Sequence, residues 1–296
     1  MYNQSLSSLR NDYMVMVYAL NDLKTLPQKK LFEFFSELLK ELGVESYIAL
    51  LSKDKSQALN ILKILGFGKD DKTPQGASLL HYAASAGLIA AVSALLNLGY
   101  SNEKTKIGAG LGHYAALNGH TMAITAFLKL ELFQINAKDN HGAGFLLYAA
   151  RGGHINTIHE LICKGLDKEE TNKDGAGIIH YAVIGAQMAD IEALIAQGHN
   201  PHALDKNGET SLHYAARFGK TTIITILIEK YGLNPGLENF QQQKIVDLAI
   251  ENGSQNTIKL CSDTVYLNRL YLDYLLRTAP SASAIKFSTE EKVLQI

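Results

Sequence analysis

A short pattern returns along this chain at a nearly constant step. The stretch Gly208-Glu-Thr-Ser-Leu-His-Tyr-Ala-Ala-Arg-Phe-Gly219 has counterparts around His81, His113, Leu147, His180 and Asp247, so that with His213 the marker positions step by 32, 34, 33, 33 and 34 residues. Such a period constrains the fold severely. Each copy is too short to bury an apolar face alone, so stability must come from stacking neighbour on neighbour.

Within each copy the residue types fall at fixed offsets. Glycine stands five residues before the marker at Gly76, Gly108, Gly142, Gly175 and Gly208, with Gln242 in the last copy. Glycine at a fixed place beside Asp, Asn or Lys predicts a tight turn with positive φ. The marker opens a short helix of small residues, such as Ala83-Ala84, Ala115-Ala116, Ala149-Ala150 and Ala215-Ala216, which admit a close neighbour. A second glycine, Gly87, Gly119, Gly153, Gly219 or Gly253, ends that helix, and Ala186 takes its place once. A longer helix follows, closing on pairs such as Leu95-Leu96, Phe127-Leu128, Leu161-Ile162 and Leu227-Ile228. Every copy reads turn, short helix, turn, longer helix.

This unit resembles the ankyrin repeat, whose signature is T-P-L-H-x-A on a period of about 33 residues. The best copies are Thr210-Ser-Leu-His-Tyr-Ala and Ser78-Leu-Leu-His-Tyr-Ala; the proline is absent throughout, and Gly110, Gly144 and Gly177 replace the threonine. In the family that threonine hydroxyl bonds back to the signature histidine, so its loss implies softer helix starts on an unchanged fold. The resemblance implies an all-α solenoid of helix-turn-helix repeats over residues 44–262, six to seven units with the first and last degenerate, and a protein-binding role.

Composition narrows the function classes. The formal net charge of −1 gives no global field toward nucleic acid or anionic lipid. No apolar run approaches the roughly 18 residues of a membrane span. The two cysteines, Cys163 and Cys261, fall in second helices and are expected to be buried reduced thiols, which suits a cytoplasmic monomer.

The ends lie outside the repeats. Leu31, Phe34, Phe35, Leu38, Leu39 and Leu42 form one stripe of an amphipathic helix, with Pro27 in its first turn. Two readings of residues 1–43 stand. One is a hydrophobic cap over the first repeat. The other is a docking segment, because Leu26, Pro27, Leu31, Phe34, Phe35 and Leu38 are similar in spacing to an F-box, the adaptor that recruits a ubiquitin ligase; Lys29 replaces its usual acid, and tryptophan is absent. Residues 263–279 carry Leu267, Leu270, Tyr271 and Tyr274 on one stripe and are expected to form a C-terminal capping helix, followed by a loose tail over 280–296. A degenerate array with such extensions resembles the secreted effectors of intracellular bacteria. The tail, with Glu290-Glu291 and Leu294, is similar to their export signals. That resemblance implies, for an effector, secretion into the host-cell cytosol.

Ten histidines invite metal or catalytic readings. His81, His113, His180 and His213 are repeat positions, and markers one unit apart lie about 10 Å from each other, too far to share a metal. Cys163 and His159 are an i, i+4 pair without a third group to orient them. The Gly-Ala-Gly turns lack the lysine and Ser/Thr of a phosphate loop. No enzyme activity, cofactor or metal is expected. Tyr82, Tyr114, Tyr148, Tyr181 and Tyr214 form a stripe read either as inter-repeat packing or as an aromatic ladder for a ligand. Partner binding is expected on the concave face, from turn tips (Lys106, Ile107, Asn140, His141, Lys173, Lys206) and first-helix positions (Leu117, Asn118, Arg151, Ile184, Arg217, Phe218). Lys106, Arg151, Lys173, Lys206 and Arg217 make a basic line suited to an acidic or amphipathic protein segment.

Overall fold

The computed structural model describes residues 70 and 72–278. Residues 25–42, with the F-box-like set, and the tail lie outside the described residues. Among the described residues there are helices, turns and no strand. The helices are α1 (Leu79–Ser85), α2 (Ile89–Asn97), α3 (Leu111–Leu117), α4 (Thr121–Lys129), α5 (Phe145–Gly152), α6 (Ile155–Cys163), α7 (Ile178–Gly185), α8 (Met188–Ala196), α9 (Ser211–Arg217), α10 (Thr221–Tyr231), α11 (Ile245–Asn252), α12 (Gln255–Ser262) and α13 (Thr264–Thr278). This is the all-α repeat architecture that the period implies. The chain divides into two compact bodies, one ending at Lys173 and one beginning at Asp174.

In the first body the short helices α1, α3 and α5 stack as one row and the longer helices α2, α4 and α6 as another. The small residues explain the short row. Ala83, Ala84, Ala115, Ala116, Ala149 and Ala150 are all buried, with no bulky side chain to hold the helices apart. The second row supplies the bulk. Ala123, Ile124 and Phe127 of α4 are buried while Met122 is 78% exposed, one apolar stripe turned inward. Phe127 touches Phe133 edge-on, and Phe133 touches Phe145, so aromatic contacts tie the second row to α5. Burying such a ring contributes about 2–3 kcal/mol.

The second body repeats the plan with α7, α9 and α11 against α8, α10 and α12. Ile223, Ile224, Leu227 and Ile228 form the buried stripe of α10. The last helix, α13, packs on α10 and α12 and so covers the second row. Leu267 is its buried anchor, the Tyr274 ring lies against Gly232, and Arg277 Nη2 donates to the Glu229 carbonyl at 2.7 Å. Ile250 of α11 stays 57% exposed.

The turn glycines adopt the left-handed conformation that their offset predicts, from Gly76 at φ 86° to Gly208 at φ 74°. Gln242 takes the same conformation at φ 61° without being glycine. One expectation fails. Cys163 is exposed because it is the last residue of α6, beyond the buried Leu161; Cys261 is buried, and burial pushes its thiol up to about 11.

Candidate functional site: the turn tips and first-helix row

The turns at Thr73, Thr105, Asp139, Asp205 and Asn239 are each closed by one side chain that the repeat pattern alone did not single out. Asp139 Oδ1 accepts from the backbone N–H of His141 at 2.9 Å and of Ala143 at 2.8 Å. Asp205 Oδ1 and Asn239 Oδ1 accept the same pair of bonds two and four residues on, and Thr105 Oγ1 accepts from Ala109 N. The signal was present in the sequence: an oxygen-bearing residue stands three before the turn position at Thr73, Thr105, Asp139, Asn172, Asp205 and Asn239. Short polar side chains mimic a backbone turn in this way.

Successive tips are sewn together through the main chain. Lys106 N donates to Gln75 O at 2.9 Å, Asn140 N to Ile107 O at 2.8 Å, and Lys173 N to His141 O at 2.8 Å. In the second body Lys206 N donates to Asp174 O at 2.7 Å and Phe240 N to Asn207 O at 2.8 Å. Side chains add to the ladder, with Asn140 Nδ2 donating to Lys106 O at 2.9 Å and Lys173 Nζ to Asn140 O at 2.8 Å, while Ile107 and Phe240 stand exposed on their tips.

The marker histidines lock one repeat to the next. Nδ1 of His81, His113, His180 and His213 accepts a backbone N–H three residues earlier, from Ser78, Gly110, Gly177 and Thr210, each at 3.2 Å. An accepting Nδ1 puts the ring proton on Nε2. That N–H donates onward at 3.2 Å from His113 to Ala143 O, from His180 to Glu209 O and from His213 to Leu237 O. Because the backbone N–H supplies the Nδ1 bond, Gly110 and Gly177 keep the helix start where the threonine hydroxyl is missing. Burial holds the rings neutral: His81 and His113 are brought down to about 4, and His180 and His213 are lowered too, by desolvation first.

The tyrosine stripe is repeat-to-repeat packing where ring contacts define it. Tyr114, Tyr148 and Tyr214 meet the rings of His81, His113 and His180 edge-on at 5.1, 4.9 and 4.9 Å. Tyr148 Oη donates to Asp139 Oδ2 at 2.9 Å and Tyr214 Oη to Asp205 Oδ2 at 3.1 Å. These hydroxyls return to the turn.

The expected partner-binding residues separate into groups. In the first body Lys106, Ile107, Asn140, His141 and Lys173 stand exposed on the tips and Arg151 stands exposed on the last turn of α5. Leu117 is half-buried, and the Asn118 amide donates to Ser85 Oγ and to the Tyr114 carbonyl. In the second body Lys206 and Phe218 are exposed and Ile184 is half-buried. Arg217 differs from the rest of the basic line. Its guanidinium pairs with Glu209, whose side chain is only 2% exposed and also accepts from Asn239 Nδ2 at 3.0 Å. Sequence reasoning passed over Glu209, which stands where four other turns carry alanine. It also passed over Phe240, which is 74% exposed at the tip position held elsewhere by Lys106, Asn140, Lys173 and Lys206.

A family comparison agrees with this geometry. The sequence model described as "Ankyrin repeats (3 copies)" matches residues 80–172 and 179–269. No curated protein matches the sequence. Among solved structures, the chain is similar to one from the Bd0816 predatory endopeptidase of Bdellovibrio bacteriovorus in complex with immunity protein Bd3460. The identity is 25%, the match covers 65% of this chain and 99% of that one, and the TM-score is 0.44.

Proposed function

This chain belongs to the ankyrin repeat family, and from that premise we propose that it is a non-enzymatic module that binds a partner protein through turn tips and first-helix ends. Ankyrin repeats imply protein–protein interaction. The observation that carries the assignment is the main-chain ladder between tips within each body, which fixes the backbone and leaves Ile107 of the first body at 43% exposure and Phe218 and Phe240 of the second at 41% and 74%. Large apolar side chains held on a rigid frame lose little entropy on binding and are typical anchors. The test is capture and cross-linking with the full chain. A partner retained by the wild type should be lost on Ile107→Asp with Leu117→Asp, or on Phe218→Ala with Phe240→Ala, and kept on Met122→Asp of the second row. Retention by both face variants would remove the assignment.

The setting we propose is that of a bacterial effector delivered into a host cell, supported by the degenerate array and the acidic–apolar tail. Deleting the last dozen residues should block delivery and leave the melting temperature unchanged. An adaptor reading, in which residues 25–42 recruit a ubiquitin ligase while the repeats hold substrate, rests on the F-box-like spacing of Leu26, Pro27 and Phe34. Loss of ligase capture on Leu26→Ala with Pro27→Ala would support it.

A further inference from the structure

The two bodies differ in how their charges are arranged. In the first, Glu103, Asp139 and Glu170, beside the repeat turns, are engaged within the chain. Glu103 pairs with Lys72, and Glu170 pairs with Lys138 at 3.3 Å. Asp139 is enclosed by two backbone N–H groups and the Tyr148 hydroxyl. Lys104, Lys106 and Arg151 are exposed, and among the described residues none of the three has a carboxylate within ion-pairing reach. Lys104 and Lys106 stand at the turn end of the first-helix row, the Lys104 stem passing over Gly110 at the start of α3. Arg151 stands at the far end, on the last turn of α5. Apolar neighbours occur at both ends, Ile107 on the tip and Leu117 at the end of α3.

The second body carries no such excess. Arg217 is neutralised by Glu209 and Lys244 by Glu238, while Asp247 and Glu251 are exposed on α11. With a formal net charge of −1 for the whole chain, the cationic field of the first body is local and not a general property of the surface.

We propose that the first body's tip and first-helix face is the docking surface for an acidic polypeptide segment with an apolar anchor. The inference rests on the protein-binding reading above and names the partner's chemistry. The partner therefore carries Asp or Glu together with an aliphatic or aromatic residue that meets Ile107 or Leu117. Lysine and arginine with no carboxylate in ion-pairing reach among the described residues steer such a segment and reject a basic one.

The test uses random dodecapeptides displayed on phage, panned against the full chain and against K104E/K106E/R151E. A control with K129E/K164E alters second-row lysines instead. The expected result is enrichment of Asp and Glu on the wild type, with recovered peptides binding the triple variant about tenfold or more weakly and the control equally. Wild-type affinity should also fall steeply as salt rises from about 0.05 to 0.3 M. All three sites are exposed, so circular dichroism should show the variant folded; if it does not, K104Q/K106Q/R151Q and the wild-type salt dependence decide. Peptides without acidic bias, or acidic peptides held equally by the triple variant, overturn the proposal. So does a short DNA duplex that binds with the same dependence on these residues, which would make the surface a general polyanion site. Peptides lost on Ile107→Asp with Leu117→Asp but kept on the charge reversal overturn this inference and leave the protein-binding module standing.

Discussion

Glu170 reaches back one repeat to place its carboxylate over Gly144, the N-cap glycine of α5. A β-carbon on Gly144 would collide with the Glu170 carboxylate, whereas one on Gly110, the equivalent residue of α3, would meet only Lys104 Cγ at 3.9 Å. Both glycines have ordinary negative φ, −97° and −108°, so backbone strain does not separate them. Gly144 leaves the space that a carboxylate from the next repeat fills, and burial raises the pKa of that carboxyl against the pull of Lys138.

Restoring the family's threonine should therefore act with opposite signs at the two sites. Gly110→Thr should stabilise by about 0.5–1 kcal/mol, from lower unfolded-state entropy and a hydroxyl for the helix start. Gly144→Thr should destabilise by about 1–3 kcal/mol by displacing a half-buried carboxylate. Glu170→Ser should rescue Gly144→Thr. Urea midpoints of the four proteins check the set; a gain at both glycines would discard the role given to Glu170.

Acid should weaken the fold well above the range in which carboxylates titrate. His81 and His113 have folded pKa values of about 4 against 6.5 for an exposed imidazole, with burial as the main cause. Asp139 opposes the shift at His113, and Asp205 opposes it at His180 and His213. A lowered folded pKa means that the unfolded chain binds more protons as pH falls through the ordinary imidazole range. Stability is complete above that range and is lost as pH falls toward the folded values. By pH 5 each of the first two rings contributes a loss of about 2 kcal/mol. Denaturant midpoints at pH 7 and pH 5 measure it. Replacing His113 by leucine, the residue that Leu147 supplies one repeat on, should flatten the slope.

Gln242 should be improvable. It holds φ 61° on an exposed turn where the other turns have glycine. Gln242→Gly should raise stability by about 0.5–1 kcal/mol, the cost of a side chain in the left-handed region less the entropy of a freer unfolded chain. Gly208→Ala should lower it, because φ is 74° and a new methyl would press on the Phe240 ring. Thermal melts of both variants decide the matter.

Arg217 and Arg151 look alike in the repeat pattern and should behave differently. Removing Arg217 leaves the buried Glu209 carboxylate without its cation, at a cost of about 2–4 kcal/mol. Arg151→Ala should change stability by less than about 0.5 kcal/mol. Equal melting temperatures for the two variants would contradict the assignment of Arg217 to the fold.

Much of the architecture was written in one dimension. The 32–34-residue step, the Gly76-to-Gly208 series and the paired alanines determine helix order, turn conformation and repeat stacking, because each depends on local backbone preference or on side-chain size at a fixed offset. Those rules do not say where a side chain ends once neighbouring repeats dock. Glu170 and Glu209 sit in loops and read as solvent-facing charges, and docking turns them inward. Arg217 and Arg151 occupy one repeat position, yet only Arg217 meets a carboxylate, because that carboxylate enters from a turn position where four other repeats have alanine. Local propensity acts within a turn of helix, so a single copy contains it. Burial and pairs such as Glu170 with Lys138 act between copies, and only the tertiary structure showed that, among the described residues, no carboxylate comes within ion-pairing reach of Lys104, Lys106 or Arg151.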